Sequence, residues 1–362
     1  MRILYAPCFF FGFIATAVWL INLGADILWL LPLLGVAILL SFTCEALCPY
    51  KPAWSEAGGE GGRDGLHALV NETLNVASIA VIPLFAGWLP ASSLWPSHWP
   101  VMWQLLLALP LADLGITLVH YASHRSALLW RLHAVHHSVT RLYGFNGLMK
   151  HPLHQLAEAL GGVVPLLLLG LPQDVAALLA FSISVQLLLQ HSNVDMRIGG
   201  LRHLFAWAPV HRLHHLKYGR LGDVNFALFF PLWDRLLGTA LHLPDYGLAD
   251  DDMGIGDRPD YPQTYLAQLC EPFYRRPRRS RRRRATQPAP GARSARLSAG
   301  GAGLRWRGCR IAGAGCGSGA PSRRSRRPWP PRSGWHRPAL RPGPRAGVAT
   351  APCAAPTGPG GH

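Results

Sequence analysis

Charge is scarce in this chain of 362 residues: Asp, Glu, Lys and Arg make up 15% of it, against 49% hydrophobic residues. An average soluble domain carries about 25% charged residues, so the composition leans toward a membrane protein. Acidic residues vanish altogether toward the C-terminus, where Arg275 to His362 holds 21 Arg and no Lys, Asp or Glu. The formal charge of +16 therefore belongs to that segment, since residues 1–274 hold 14 basic and 19 acidic side chains. No nucleic-acid partner is expected for the body. The segment opens RRPRRSRRRR and has no apolar periodicity, so it reads as disordered. It is either a polybasic stretch drawn to anionic lipid or nucleic acid, or a stretch without selected structure.

Other absences narrow the chemistry. Of seven cysteines, Cys8, Cys44, Cys48 and Cys270 lie outside the Arg-rich segment and form no zinc-type pair, so neither a zinc nor a disulfide framework is indicated. Ala134 and Val135 stand where a metalloprotease would place its glutamate, and Ser123 and Ser138 lie in no G-x-S-x-G elbow. No dinucleotide fingerprint or C-x-x-C-H haem site appears in the body. Any redox chemistry here needs electrons from elsewhere.

Long apolar runs are plentiful. Ile3 to Leu20 and Leu23 to Phe42, the latter broken only by Asp26, each approach the ~20 residues that cross a bilayer as a helix. The two-residue gap between them, with no small-residue cleavage site, reads as a membrane hairpin rather than a signal peptide. The polar stretch CPYKPAWSEAGGEGGRDGLH reads as a loop. Leu74 to Leu89 and Val101 to Val119 form a second pair, joined by PASSLWPSHWP, whose Trp95 and Trp99 suit an interfacial belt. A third pair, Leu156 to Leu189, turns at Gly170 to Asp174; its short arms fit two spans or a re-entrant hairpin. Arg125, Arg131, Arg141, Lys150, Arg212, Lys217 and Arg220 gather on one side, while Pro90 to Pro100 has no Lys or Arg. The positive-inside tendency places the basic side and both termini in the cytoplasm. The expected fold is all-α, a polytopic membrane helical bundle of about four to six spans in hairpins, with a cytoplasmic histidine-rich cap.

Histidine dominates that cap. Twelve of 17 histidines fall between His120 and His215, eight of them in the clusters HYASH, HAVHH and HRLHH. Residues four apart share a helix face, so His120 pairs with His124, His133 with His136 and His137, and His211 with His214 and His215. Imidazole suits iron, zinc, copper or nickel. Eight clustered imidazoles exceed the needs of one tetrahedral ion, and two ions fit the count better. The expected assembly is one cage, with HAVHH and HRLHH as walls brought together by the intervening hairpin.

The run DLGITLVHYASHRSALLWRLHAVHHS, with KHP at Lys150, QHSN at Gln190 and APVHRLHHLKYGRLGDVNFALFFPLWDRLLGT, resembles the fatty acid hydroxylase superfamily, also called the sterol desaturase family, from about Glu45 to Thr239. The resemblance implies a membrane-bound non-haem enzyme with two iron ions per chain. It would use O2 and a separate ferredoxin- or cytochrome-type electron donor to hydroxylate or desaturate an unactivated C–H bond of a lipid drawn from the bilayer. By motif, His120, His124, His133, His136, His137, His211, His214 and His215 match the family's ligands. His191 matches a further ligand, and His151 a recurring histidine that is either ligand or neighbour of one. His154 and His203 read as bystanders. Ala227 stands where glycine is usual, although Asn225 is retained. The implied division is an N-terminal hairpin and loop at 1–72, a catalytic domain at 73–245, an extension at 246–274 and the Arg-rich segment at 275–362.

Ligand histidines commonly donate their second N–H to a carboxylate or carbonyl. Asp113, two helical turns before His120, is costly in an apolar run unless functional or paired; it reads as an orienting carboxylate or a helix-interface hydrogen bond. Asn225, Asp223 and Asp234 are further candidates around the third cluster, Asp234 alternatively pairing with Arg235. Asp113 and Asn225 are expected in the catalytic machinery. Trp130, Trp207 and Trp233 read as interfacial anchors or channel walls. The competing reading is a metal-ion transporter binding ions transiently through the clusters.

Overall fold

The computed structural model describes residues 1–274 except 57, 87–93, 219–220, 244–245 and 250. The Arg-rich segment expected to be disordered, and the first part of the loop from Pro90, lie outside the described residues. Eleven α-helices and several 3-10 turns are present among the described residues, with two isolated bridges, Pro49 to Val194 and Leu216 to Met253, in place of any strand. The described cysteines are free, as their spacing implies.

Four stretches are long and apolar enough to cross a membrane. Helix α1 (Tyr5–Asn22) and helix α2 (Leu30–Leu47, prefaced by a 3-10 turn capped by Asp26) form the first hairpin. Phe11, Trp19, Val36 and Leu39 are all more than half exposed along it, which suits lipid rather than water. Helix α4 (Val101–Arg125) starts directly after Pro100, and α8 (Gln173–His191) directly after Pro172. A proline just before the first turn loses no helical hydrogen bond. Helix α8 is the most enclosed of the four, with 83% of its span buried.

Helix α3 (Gly61–Ala86) begins well ahead of the apolar run at Leu74, inside the stretch read as a loop. Buried polar contacts outweigh its glycines. Asp64 accepts from Arg63, Tyr143 and Asn146, and Asn71 donates to the carbonyls of Leu148 and Lys150. The third apolar pair is also uneven. Its first arm breaks into α6 (Pro152–Gly162) and α7 (Val164–Leu168), because Pro165 interrupts the backbone ladder. Only its second arm, α8, is long enough to span. Helix α5 (Ala127–His137) follows α4 after the single residue Ser126, whose hydroxyl caps it. Short helices α9 (Ala208–His211), α10 (Leu232–Leu237) and α11 (Tyr265–Cys270) complete the set.

Helices α4 and α6 cross at glycine. A Cβ on Gly115 would overlap the Gly161 carbonyl, and one on Gly162 would meet Ile116 at 2.6 Å. Overpacking of this kind costs about 1–3 kcal/mol. Gly115→Ala is therefore expected to lower the thermal midpoint of detergent-solubilised protein; an unchanged midpoint would show that the crossing has slack. Residues 246–274 are tied into the same body: Gln268, fully buried, bonds His67 Nε2 (2.9 Å), Ser138 Oγ (3.2 Å) and the Pro262 carbonyl (2.8 Å).

Candidate metal centre

The C-terminal turns of α4, α5 and α8, together with the segment from α9 to His215, meet at one end of the bundle. There the histidines fall into two groups, each with ligand atoms all within 4.8 Å of one another: His120, His124, His133, His137 and His214, and then His136, His191, His211 and His215. The sequence clusters do not map onto these groups one to one. His136 leaves its helical neighbours for the second group, and His214 leaves His211 and His215 for the first. The expected single cage is thus two adjacent ones, each built from several elements. All nine residues are buried except His124, which is partly exposed.

Hydrogen bonding decides what the rings present. His120 Nδ1 lies 2.7 Å from the Phe226 carbonyl, His136 Nδ1 3.3 Å from that of Met149, His214 Nδ1 2.8 Å from that of Val224 and His191 Nδ1 3.1 Å from that of Leu187. A carbonyl only accepts, so each Nδ1 carries the proton and each Nε2 keeps a bare lone pair. His124 Nδ1 likewise faces Asp223 Oδ1 at 3.0 Å. The Nε2 atoms then point at one another. His120 faces His214 at 2.9 Å, and His137 faces His133 and His124 at 3.1 and 3.2 Å. In the second group His191 faces His136 and His215 at 3.3 and 3.2 Å, and His215 faces His211 at 3.2 Å.

Lone pairs converging at such distances repel unless a cation lies among them. The buried Nδ1 atoms of His133, His211 and His215 have no hydrogen-bond partner, a cost that a metal on the other nitrogen would offset. Burial, and next the neighbouring imidazoles, hold His133, His136, His137, His211, His214 and His215 well below the usual histidine range. Neutral rings need lose no proton to bind a metal. The donor set, all imidazole, fits iron, zinc, copper or nickel.

Other expected site residues lie elsewhere. His151 joins neither group: it caps α6 through the Leu153 N–H, and its Nε2 faces the Leu269 carbonyl. Asp113 touches no histidine. Its carboxylate accepts the backbone N–H groups of Leu228, Phe229 and Phe230, because α4 carries it to the loop after the third cluster rather than to the ring two turns above. Asn225 also misses the rings. At φ 52°, a left-handed conformation that asparagine tolerates, it donates to the Val210 and Leu241 carbonyls and accepts from Leu241 N–H. Asp234 holds the N–H groups of Phe226 and Ala227 and the Thr239 hydroxyl, while Arg235 bonds the His203 carbonyl instead. These groups shape the loop whose Phe226 carbonyl aims His120.

Trp130 packs on His124 and His137 at centroid distances of 5.1 and 5.3 Å. Trp207 is no interfacial anchor, being fully buried and stacked on Phe205. His154 stays outside both groups, yet it packs on one of them: its ring lies 4.4 Å from that of His133, and its Nε2 is 2.9 Å from Ser123 Oγ. Nothing in its spacing set it apart from other histidines; only the return of α6 against α4 and α5 brings it in.

Asp223 is the one carboxylate bonded to a histidine of either group among the described residues. Losing such an outer partner typically costs 10–100-fold in metal affinity or activity. Asp223→Ala is expected to weaken metal retention during chelator challenge by a factor in that range, and retention equal to the parent's would deny Asp223 this role.

The profile of the family described as fatty acid hydroxylase matches residues 105–239. Among curated proteins, the ornithine lipid hydroxylase OlsE of Rhizobium tropici is 35% identical over 257 residues, 67% of this chain and 75% of that protein. The alkylglycerol monooxygenase of Danio rerio is 28% identical over 39% of this chain and 31% of its own length. Sphinganine C4-monooxygenase 2 of Arabidopsis thaliana is 28% identical over 38% of this chain and 54% of its own. The chain thus spans most of the first relative and about a third to a half of the other two. No solved structure matches it. The matched region holds every histidine of both groups, and with four apolar helices around it the chain belongs to the fatty acid hydroxylase family of iron-dependent membrane oxidoreductases.

Proposed function

We propose that this protein is a di-iron lipid hydroxylase, holding one iron in each histidine group and inserting one atom of O2 into an unactivated C–H bond of a membrane lipid. Desaturation by the same centre is the nearest variant. The observation that carries the reading is the convergence of nine imidazole lone pairs into two closed groups at the end of apolar helices. Support for a lipid substrate comes from the relatives, whose names include hydroxylases and monooxygenases of ornithine lipid, alkylglycerol and sphinganine.

Bound iron would supply the activation of O2 that no side chain can. The protein's own residues do the rest. His120, His124, His133, His137 and His214 would hold one ion, and His136, His191, His211 and His215 the other. Carbonyls of Val224, Phe226 and Met149 keep the rings aimed. The apolar side chains of Ile116, Leu187, Phe226 and Leu228 beside the centre limit water. Electrons come from a separate ferredoxin- or cytochrome-type protein. The basic residues beside the centre support a cytoplasmic side for it and for both termini. The metal-transporter reading finds no support, since five of the nine rings are held by second hydrogen bonds, in buried groups that suit retention rather than passage.

The test is metal content of the detergent-purified protein beside a His133, His136 and His137 to Ala variant, followed by mass spectrometry of lipids from cells producing each. Iron bound by the parent and lost in the variant, with lipids gaining one oxygen only with the parent, is the expected result. Zinc alone, or no metal in a folded parent given iron, would end the oxygenase reading.

A further inference from the structure

A hollow of about 20 Å³ lies between the two histidine groups, lined by imidazoles of both and by Lys150 and Glu158. One water needs ~10–15 Å³, so the hollow admits a water or a diatomic molecule and no hydrocarbon chain. A larger hollow of about 440 Å³ between α1 and α2 is lined by none of the histidines. Apart from histidine, Lys150 and Glu158 are the ionisable side chains in the small hollow's wall. Lys150 Nζ donates to Glu158 Oε2 at 2.6 Å, and each side chain keeps about a tenth of its surface accessible.

The pair is set from behind. Asn71 of α3 donates to the Lys150 carbonyl at 3.0 Å, fixing the backbone from which the ammonium reaches in. Glu158 projects from α6, its second oxygen 3.7 Å from His154 Nδ1. Glu72 of α3 also acts on Lys150 through its charge. A buried ion pair is a poor source of stability, because desolvation offsets its attraction. One that lines a water-sized hollow among imidazoles has a use in moving protons.

We propose that Lys150 and Glu158 deliver protons to reduced dioxygen in this hollow, an inference that rests on the oxygenase reading above. The overall reaction is C–H plus O2, two electrons and two protons giving C–OH and water, with the electrons from the ferredoxin- or cytochrome-type donor. In each delivery a Lys150 N–H bond breaks and an O–H bond forms on the oxygen atom that leaves as water. Glu158, a carboxylate in the resting pair, then takes up a proton from water at its accessible surface and passes it to the neutral amine, which restores the ammonium and the carboxylate. The ammonium leads because it is the donor; the carboxylate holds it in place between deliveries.

The experiment uses the full-length protein in vesicles of lipid extracted from the producing cells, reduced with dithionite and exposed to isotopically labelled O2. Lys150→Met and Glu158→Gln are compared with Lys150→Arg for iron per chain, labelled lipid and hydrogen peroxide. Both neutral variants should keep the parent's iron, lose about 100-fold in labelled lipid, at the lower end of what general acid catalysis contributes, and divert O2 to peroxide. Lys150→Arg should recover part of the lipid product and suppress peroxide. Unchanged product and peroxide in both neutral variants would overturn the proposal, and so would loss of iron along with product, which marks a structural pair. A parent that binds iron yet labels no lipid would instead remove the oxygenase reading, and this proposal with it.

Discussion

An alanine at His191 is expected to remove one iron and leave the other. His191 Nε2 faces His136 and His215 together, so its loss opens the four-histidine group at its centre while the five-histidine group keeps all its members. His137 holds the corresponding place in the other group, between His124 and His133. Iron per chain should therefore fall by about half in His191→Ala and in His137→Ala, and to nothing in the double variant, with lipid oxidation abolished in all three. Elemental analysis of each folded protein decides it. Total loss of metal in both single variants would mean one shared site, and full retention in both would mean that the groups hold no metal.

The largest loss of stability is expected from Asp113→Asn. One carboxylate satisfies three successive backbone N–H groups, with Oδ1 3.0 Å from those of Leu228 and Phe229 and Oδ2 2.8 Å from that of Phe230. An amide has only one oxygen to offer, and its NH2 group would face a backbone donor. Bonds to a charged acceptor contribute about 1.5–3 kcal/mol each, and leaving a buried donor unsatisfied costs about 1–3 kcal/mol. At roughly 2–4 °C per kcal/mol for a body of this size, the midpoint of detergent-solubilised protein should drop by about 10 °C. Iron should also be held more weakly, because the same loop carries the Phe226 carbonyl that aims His120. A midpoint within a degree or two of the parent's would show that the loop is held by other contacts.

Asp113 also marks the limit of a reading along one helix. Its spacing from His120 is right for a shared face, and its burial in an apolar run correctly singled it out. The partner lies more than a hundred residues away, however, in a loop whose approach no local pattern encodes. His151 fails for a similar reason: the KHP motif placed it among the histidines, yet its ring nitrogens are taken up by α6 and the Leu269 carbonyl. Asp223 was reachable, since it follows the third cluster closely and a partly exposed carboxylate is free to turn toward a ring.

Residue types and short spacings, on the other hand, are decided within the chain itself. The apolar runs, the dearth of charge and three histidine clusters at helical spacing are enough for a membrane helical bundle with a metal-binding end, because burying apolar side chains in lipid and converging imidazoles on a cation are properties of the residues wherever they sit. Only tertiary structure decided which imidazole joins which group. His133 and His136 lie three apart on α5 yet belong to different groups, and His214 turns away from its two neighbours, because the second nitrogens of His136 and His214 go where they find the carbonyls of Met149 and Val224. Those partners, Met149, Val224, Phe226 and Asp223, reach the rings through folding over distances of ten to about a hundred residues, and a hydrogen bond across such a gap leaves no periodic trace in the sequence.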